Sequence, residues 1–268
     1  MIRLAVAGAA GKMGRTILSL AAKDKEFKIT GAFESPESPA LGKDAGLLIG
    51  REPIDVPVSH YPFESLSESD VLIDFTHPST TDTYLRAALK FKVAYVLGTT
   101  GLNAKIMTLI KKVSHKIPVV QSPNMSIGVN LLFRLAEITA NALDETYDIE
   151  ISETHHRMKK DAPSGTAAKL LEVVAKARKR NLQKDVVTGR DGETGARPQG
   201  QIGVLAMRGG DVVGDHTVFF YGDGERIELT HRASSREAFA QGALRAAKFA
   251  AKRKNGLYNM QQVLGLET

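Results

Sequence analysis

The densest concentration of reactive side chains lies at positions 153–166, which read Glu-Thr-His-His-Arg-Met-Lys-Lys-Asp-Ala-Pro-Ser-Gly-Thr. Histidine and lysine are the side chains best suited to deliver a proton near neutral pH, which makes His155, His156 and Lys159 candidates for that work. Adjacent histidines leaving a strand point to opposite sides, so only one of them faces a given ligand atom. Pro163-Ser164-Gly165-Thr166 then opens a helix expected to begin near Ala167. Unpaired amides at a helix start, together with the Thr166 hydroxyl, suit a carboxylate. Arg157, Lys159 and Lys160 add positive charge, and the whole segment describes a pocket for a small, multiply anionic molecule. Two neighbouring histidines chelate one ion poorly and no third ligand stands beside them, so no metal is expected.

A second cluster is Gly8-Ala9-Ala10-Gly11-Lys12-Met13-Gly14, a G-x-x-G-x-x-G spacing between an apolar run and an amphipathic one. Glycines there let the backbone turn tightly and approach a pyrophosphate, whose charge rests on the amides of the following helix. Glu34, twenty residues past Gly14, closes the next apolar run and can accept hydrogen bonds from both hydroxyls of an adenosine ribose. An acid at that place repels a ribose 2′-phosphate, which favours NADH, while Lys12 and Arg15 soften the preference. Gly98-Thr99-Thr100-Gly101 and Ser122-Pro123-Asn124-Met125 follow two further strand-like runs. Ligands of open α/β sheets lie outside the carboxyl ends of the strands, so both segments can line a nicotinamide pocket.

These groups need a scaffold, and the apolar periodicity supplies one. Strands expected at 2–7, 27–33, 71–75, 93–97 and 118–121 alternate with helices at 13–22, 79–91 and 103–115. That order indicates a Rossmann-type, doubly wound parallel α/β sheet. The middle of the chain reads as α+β. A helix is expected at 126–143, then a strand at 147–154 with Ile149 and Ile151 on one face and Glu150 and Ser152 on the other. A helix at 167–178 follows, then a glycine- and arginine-rich mobile loop at 188–203, and strands at 203–207, 215–221 and 225–232. An alanine-rich helix at 235–253 comes last. The expected division is 1–126 plus 240–268 for dinucleotide binding, and 127–239 for substrate binding and oligomerisation.

Composition narrows the classes. The 268 residues are 43% hydrophobic and 25% charged, as in an ordinary globular protein. No cysteine is present, which excludes disulfides, thiolate metal sites and the thioester chemistry of phosphorylating aldehyde dehydrogenases. No apolar stretch approaches the roughly 18 residues that span a bilayer, and the first residues lack a signal-peptide apolar region, so a cytoplasmic location without membrane contact is expected. The net charge of +6 is spread along the chain, and Lys252-Arg253-Lys254 sits at a helix end, where cations face the negative pole of the dipole. No helix-turn-helix or aromatic-interleaved basic patch accompanies it, so nucleic acid is not an expected partner.

Beyond these physical readings, the chain resembles the bacterial 4-hydroxy-tetrahydrodipicolinate reductase (dihydrodipicolinate reductase) family of lysine and diaminopimelate biosynthesis. The residues that carry the resemblance are G-A-A-G-K-M-G-R from Gly8, F-T-H-P from Phe75, G-T-T-G from Gly98 and S-P-N-M-S-I-G-V-N from Ser122. E-T-H-H-R-M-K-K-D-A-P-S-G-T-A from Glu153, G-D-H-T from Gly214 and T-H-R-A-S-S-R from Thr230 complete the set. The resemblance implies a Rossmann domain completed by the C-terminal segment, a substrate domain in between, and a homotetramer. It implies His155 as the catalytic histidine, Lys159 as the proton donor, and His156, Gly165 and Thr166 as the set that binds a small dicarboxylate. It also implies cofactor contacts from Gly8, Ala9, Ala10, Gly11, Lys12, Met13, Glu34, Gly98, Thr99, Thr100, Ser122, Pro123, Asn124 and Met125. In the implied reaction the 4-hydroxyl leaves as water, hydride adds to the resulting conjugated C=C–C=N system, and a proton goes to its other end. Members that accept NADPH readily often carry an arginine directly after the acid, whereas Ser35 and Pro36 stand here, which favours NADH or dual use. Another NAD(P)-dependent amino-acid or semialdehyde dehydrogenase on the same scaffold is the competing enzyme reading, but it gives no reason for His155-His156 followed by Pro163-Ser164-Gly165-Thr166. A nucleotide-sensing DNA-binding regulator is the non-enzymatic one.

Overall fold

The computed structural model describes residues 1–266. From the N-terminus the elements are β1 (Ile2–Ala7), α1 (Lys12–Ala21), β2 (Phe27–Phe33), α2 (Ala45–Leu48), β3 (Val58–Ser59), α3 (Pro62–Ser65), β4 (Val71–Asp74), α4 (Thr81–Phe91), β5 (Ala94–Leu97), α5 (Ala104–Ser114) and β6 (Pro118–Gln121). They continue with α6 (Ile127–Ala142), β7 (Asp148–His155), α7 (Gly165–Ala177), β8 (Val186–Val187), β9 (Ile202–Arg208), β10 (Gly214–Gly222) and β11 (Glu225–Ala233). The chain ends with α8 (Glu237–Ala250), β12 (Gly256–Tyr258) and α9 (Met260–Leu264). Two compact units result: Met1–Ile127 with the segment from Arg236 onward, and Gly128–Ser235.

The first unit holds a seven-stranded sheet in the order β12-β6-β5-β4-β1-β2-β3, with every pairing parallel. Parallel strands covered on both faces should be apolar throughout, and β4 and β5 are buried along their whole length. Alternation divides β1 between two cores. Leu4 and Val6 pack with α1 and α8, while Ala5 and Ala7 pack with α4 and α5. Helix α8 presents Ala240, Ala243, Ala246, Ala247 and Ala250 to its core, and small side chains let it lie close on β4, β5 and β6. Sequence periodicity places the long elements. It does not reveal β3, α2, α3 or β12, which are too short to carry a period and are held by their neighbours.

The second unit is a mixed sheet in the order β11-β10-β7-β9-β8, in which β11, β10 and β7 run antiparallel and β7, β9 and β8 parallel. Its inner face carries Ile149, Ile151, Ile202, Val204, Val218 and Phe220, covered by Val129, Leu132, Phe133 and Ala136 of α6 and by Ala167, Leu170 and Val174 of α7. Of the stretch 188–203 expected as a mobile loop, the last two residues belong to β9 and the rest is tied to β7 by ion pairs from Arg190 to Glu150 and from Arg197 to Asp148 and Glu150. Among the described residues, no helix is long and apolar enough to cross a membrane.

Candidate active site

In the first unit, register brings the candidate cofactor residues together. Phe33, Ala7, Asp74, Leu97 and Gln121 form one continuous row across β2, β1, β4, β5 and β6. The next residue on each strand is Glu34, Gly8, Phe75, Gly98 or Ser122, so five loops leave the sheet from a single line. Strand β1 lies between β2 and β4, where the winding reverses, the position at which open α/β sheets bind ligands.

The glycine turn fits a pyrophosphate. Gly8 has φ +75°, and a Cβ there would stand 2.8 Å from the Phe75 carbonyl oxygen. A Cβ on Gly14 would stand 2.0 Å from the Gly8 carbonyl oxygen, so the turn closes onto α1 only without side chains. Gly11 caps α1 with no side-chain hydrogen bond and no acid follows in the first turn, which leaves the leading amides of Lys12, Met13 and Gly14 for an anion. Glu34 accepts a hydrogen bond from the Ala10 amide at 2.8 Å and another from Ser35 N at 3.1 Å. It therefore shapes the turn, a function the spacing did not reveal. Arg15 is engaged with the carbonyls of Ala10 and Leu48, while Lys12 is exposed. Ala9 and Met125 turn their side chains into the core, so only their backbone atoms can meet a ligand. Gly98 lies under the Phe75 ring, Thr99 is buried, and Thr100 and Pro123 are exposed. Asn124 accepts from Ser126 N at 2.8 Å and Ser122 donates to the Asn124 carbonyl at 2.9 Å, which shapes the turn after β6.

In the second unit the inner face of the sheet changes character along β7. Ile149 and Ile151 are buried among apolar neighbours, and the same alternation then buries Glu153 and His155. Glu153 is fully enclosed and its carboxylate accepts four donors: His155 Nδ1 at 2.5 Å, Ser164 N at 3.0 Å, Arg208 Nη1 at 2.9 Å and Arg208 Nη2 at 3.0 Å. Burial pushes the Glu153 carboxyl up, but Arg208, His155 and the Ser164 amide together hold it below the usual carboxylate range. An ionised Glu153 keeps the proton of a neutral His155 on Nδ1 and turns a bare Nε2 outward. Burial lowers the His155 pKa, and Glu153 opposes that shift. A Cβ on Gly214 would stand 2.9 Å from His155 Nε2, so the ring takes its place because that position is glycine.

Further groups complete the arrangement. His216 packs edge-on against His155, with ring centres 5.1 Å apart, and its Nε2 lies 3.1 Å from Ser164 Oγ. Burial and the neighbouring His155 push its pKa down to about 3, so the ring is neutral. Lys159 pairs with Asp161 at 2.9 Å, and Arg208 also donates to the Asp161 carbonyl at 2.6 Å. His156, just past the end of β7, is half-buried, and its amide donates to the Val212 carbonyl. Helix α7 begins at Gly165, two residues before the expected start, and its cap is Ser164, which accepts from Ala167 N at 3.2 Å. Gly165 is exposed and a side chain there would meet nothing within 4 Å. Thr166 is half-buried in the first turn. No group of three or more histidine, aspartate or glutamate side chains among the described residues could hold a metal ion.

Arg208 and His216 stand far from Glu153 in sequence and strand pairing brings them to it, whereas Ser164 lies only 11 residues on and meets it from the cap of α7. Glu153 itself was detectable, because an acid falls on the buried alternation that Ile149 and Ile151 begin.

Models of dihydrodipicolinate reductase match the chain in both halves, the N-terminal model over residues 2–125 and the C-terminal model over residues 128–264. The chain belongs to the dihydrodipicolinate reductase family. Among curated members of that family, the 4-hydroxy-tetrahydrodipicolinate reductase of Nitrosomonas europaea is 49% identical over 265 residues, covering 99% of this chain and 98% of that one. The same enzyme of Dechloromonas aromatica is 50% identical over 264 residues, covering 98% of each. The solved dipicolinate-bound dihydrodipicolinate reductase of Paenisporosarcina sp. TG-14 superposes with a TM-score of 0.76 at 25% identity, covering 98% of both chains. An aspartate semialdehyde dehydrogenase of Vibrio cholerae shares the fold alone, at 13% identity, 92% of this chain and 97% of that one, and a TM-score of 0.55.

Proposed function

We propose that this chain reduces (2S,4S)-4-hydroxy-2,3,4,5-tetrahydrodipicolinate to 2,3,4,5-tetrahydrodipicolinate with loss of water, using NAD(P)H, in lysine and diaminopimelate biosynthesis. The observation that carries this reading is the buried Arg208–Glu153–His155 arrangement beside Lys159 and the start of α7, in a family member related to reductases of that name along its whole length. A nicotinamide held at the strand ends of the first unit would supply the hydride.

The side chains of this chain bind the substrate and manage the proton. Gly165 and Thr166 in the first turn of α7, with His156, take the carboxylates. His155 is neutral near pH 7 in the free protein. Two substrate carboxylates arriving beside it raise its pKa and favour the imidazolium, which stabilises charge developing on the ring nitrogen. The Lys159 ammonium, oriented by Asp161, delivers the proton. An assay coupled to dihydrodipicolinate synthase tests the reading directly: substrate-dependent oxidation of NADH or NADPH is expected, and oxidation of neither overturns it.

The cofactor preferred is NADH. With Glu34 on the ribose side and no arginine at Ser35, kcat/KM for NADH should exceed that for NADPH by about tenfold, since one repulsive charge contact is worth on the order of 1–2 kcal/mol near a surface. Glu34→Gln should narrow that ratio in steady-state kinetics with both cofactors, and an unchanged ratio refutes the role of the acid.

The outer face of the mixed sheet leaves Leu205, Met207 and Tyr221 exposed, and Phe219 stacks on Tyr221 at 5.6 Å. Apolar side chains clustered on one sheet face call for a cover, and copies of this chain in a homotetramer would provide it. Leu205→Asp combined with Met207→Glu should lower the mass measured by light scattering below that of four chains. A mass unchanged from wild type would exclude this face as the interface.

A further inference from the structure

Asp74, the last residue of β4, is fully buried although the strand around it is otherwise apolar. Its Oδ1 accepts from Thr76 N at 2.9 Å, Thr76 Oγ1 at 2.6 Å and Thr99 Oγ1 at 3.1 Å, and its Oδ2 accepts from the Tyr95 hydroxyl. No cation is among these partners. Burying a carboxylate without one costs several kcal/mol, which no requirement of the core explains. Burial pushes the Asp74 carboxyl up, and the Thr76, Tyr95 and Thr99 bonds only partly offset it.

Those bonds serve the loops. Thr99 Oγ1 also accepts from Thr76 N at 3.0 Å, which ties the loop after β5 to the loop after β4. Thr76 Oγ1 lies 2.8 Å from Thr80 Oγ1 at the start of α4. Phe75, held between Asp74 and Thr76, touches both neighbouring loops. Its carbonyl oxygen would stand 2.8 Å from a Gly8 Cβ, and its ring carbon Cζ 2.3 Å from a Gly98 Cβ. One carboxylate therefore sets the spacing between the glycine turn and the Gly98–Gly101 loop. The glycine turn takes the pyrophosphate and Glu34, on the β2 side, takes the adenosine ribose, so the β4–β5 side is left for the nicotinamide half.

We infer that Asp74 is a positioning residue for the nicotinamide half of the dinucleotide, holding the loops after β4 and β5 at the distance hydride transfer requires. The inference rests on the dinucleotide reading above. It is tested with Asp74→Asn and Tyr95→Phe, by measuring kcat together with the Kd of NADH and of ADP-ribose, which lacks the nicotinamide. In Asp74→Asn, kcat should fall by about 10- to 100-fold, the scale of a misplacement of about 1 Å, while ADP-ribose binds as in wild type. Tyr95 is wholly buried and its hydroxyl donates to Asp74, so Tyr95→Phe should lower kcat by a smaller factor in the same pattern. That variant also stands in should Asp74→Asn not fold. Turnover and NADH binding within twofold of wild type in both variants overturn the inference, as does a parallel loss of NADH and ADP-ribose affinity. Wild-type protein that binds neither compound overturns the dinucleotide reading itself, and this inference with it.

Discussion

Lys159→Ala lowers kcat by about 10³-fold and leaves the affinity for NADH unchanged, the loss expected when a general acid is removed from a formed site. The proposed cofactor residues sit at the strand ends of the first unit, whereas Lys159 belongs to the turn after β7, so the two properties should separate. Stability should hardly move. The Lys159–Asp161 pair has an exposed acid, and such pairs contribute about 0–1 kcal/mol. His155→Ala should match it in direction and scale, because a bound dianion no longer meets an imidazolium. Steady-state kinetics and NADH fluorescence titration check both variants, and normal turnover in both refutes the assigned roles.

Glu153→Gln has the second large effect, and it falls on two observables. In the wild type Glu153 raises the His155 pKa against burial, whereas Arg208 and Lys159 lower it. Without the carboxylate, burial acts unopposed and Arg208 loses its partner, so the His155 pKa falls further. The basic limb of the kcat/KM profile should therefore move to lower pH, and a profile that stays in place removes Glu153 from the mechanism. Breaking a buried ion pair on one side costs about 3–5 kcal/mol, which thermal unfolding at pH 7 will register. The sign with pH follows from the depressed Glu153 pKa. Its stabilising share is present above the ordinary carboxylate range and is lost as the pH falls through the folded value. The variant, already without that share, should lose less of its remaining stability on acidification than the wild type does.

How far the sequence anticipates such residues depends on the range of the interaction. Long helices and buried strands announce themselves through periodicity, and the row of loops from Glu34 to Ser122 follows once the parallel sheet is inferred. His155, Lys159 and the glycine turn are visible because their chemistry is concentrated in short segments. Asp74 falls inside the strand expected at 71–75, and only the donors that Thr76, Tyr95 and Thr99 turn toward it reveal its burden. Arg208 carries no local signal, because only the pairing of β9 with β7 sets it opposite His155. The helix expected near Ala167 begins two residues earlier, at Gly165, with Ser164 as its cap and Thr166 in its first turn.

The pairing of β12 with β6 has a consequence for how the chain is made. Gly256 stands beside Pro118, so the edge of the first sheet waits for residues that leave the ribosome 138 positions later. At elongation speeds of about 5–20 residues per second, that delay is roughly 7–28 s. During it, the apolar strands β1 to β6 lack α8, whose alanines cover one of their faces. The second unit, drawn from one uninterrupted stretch, needs no such wait and can close while synthesis continues. A nascent chain of this design thus carries a finished module on an unfinished one, and chaperone dependence should concentrate on its first 120 or so residues.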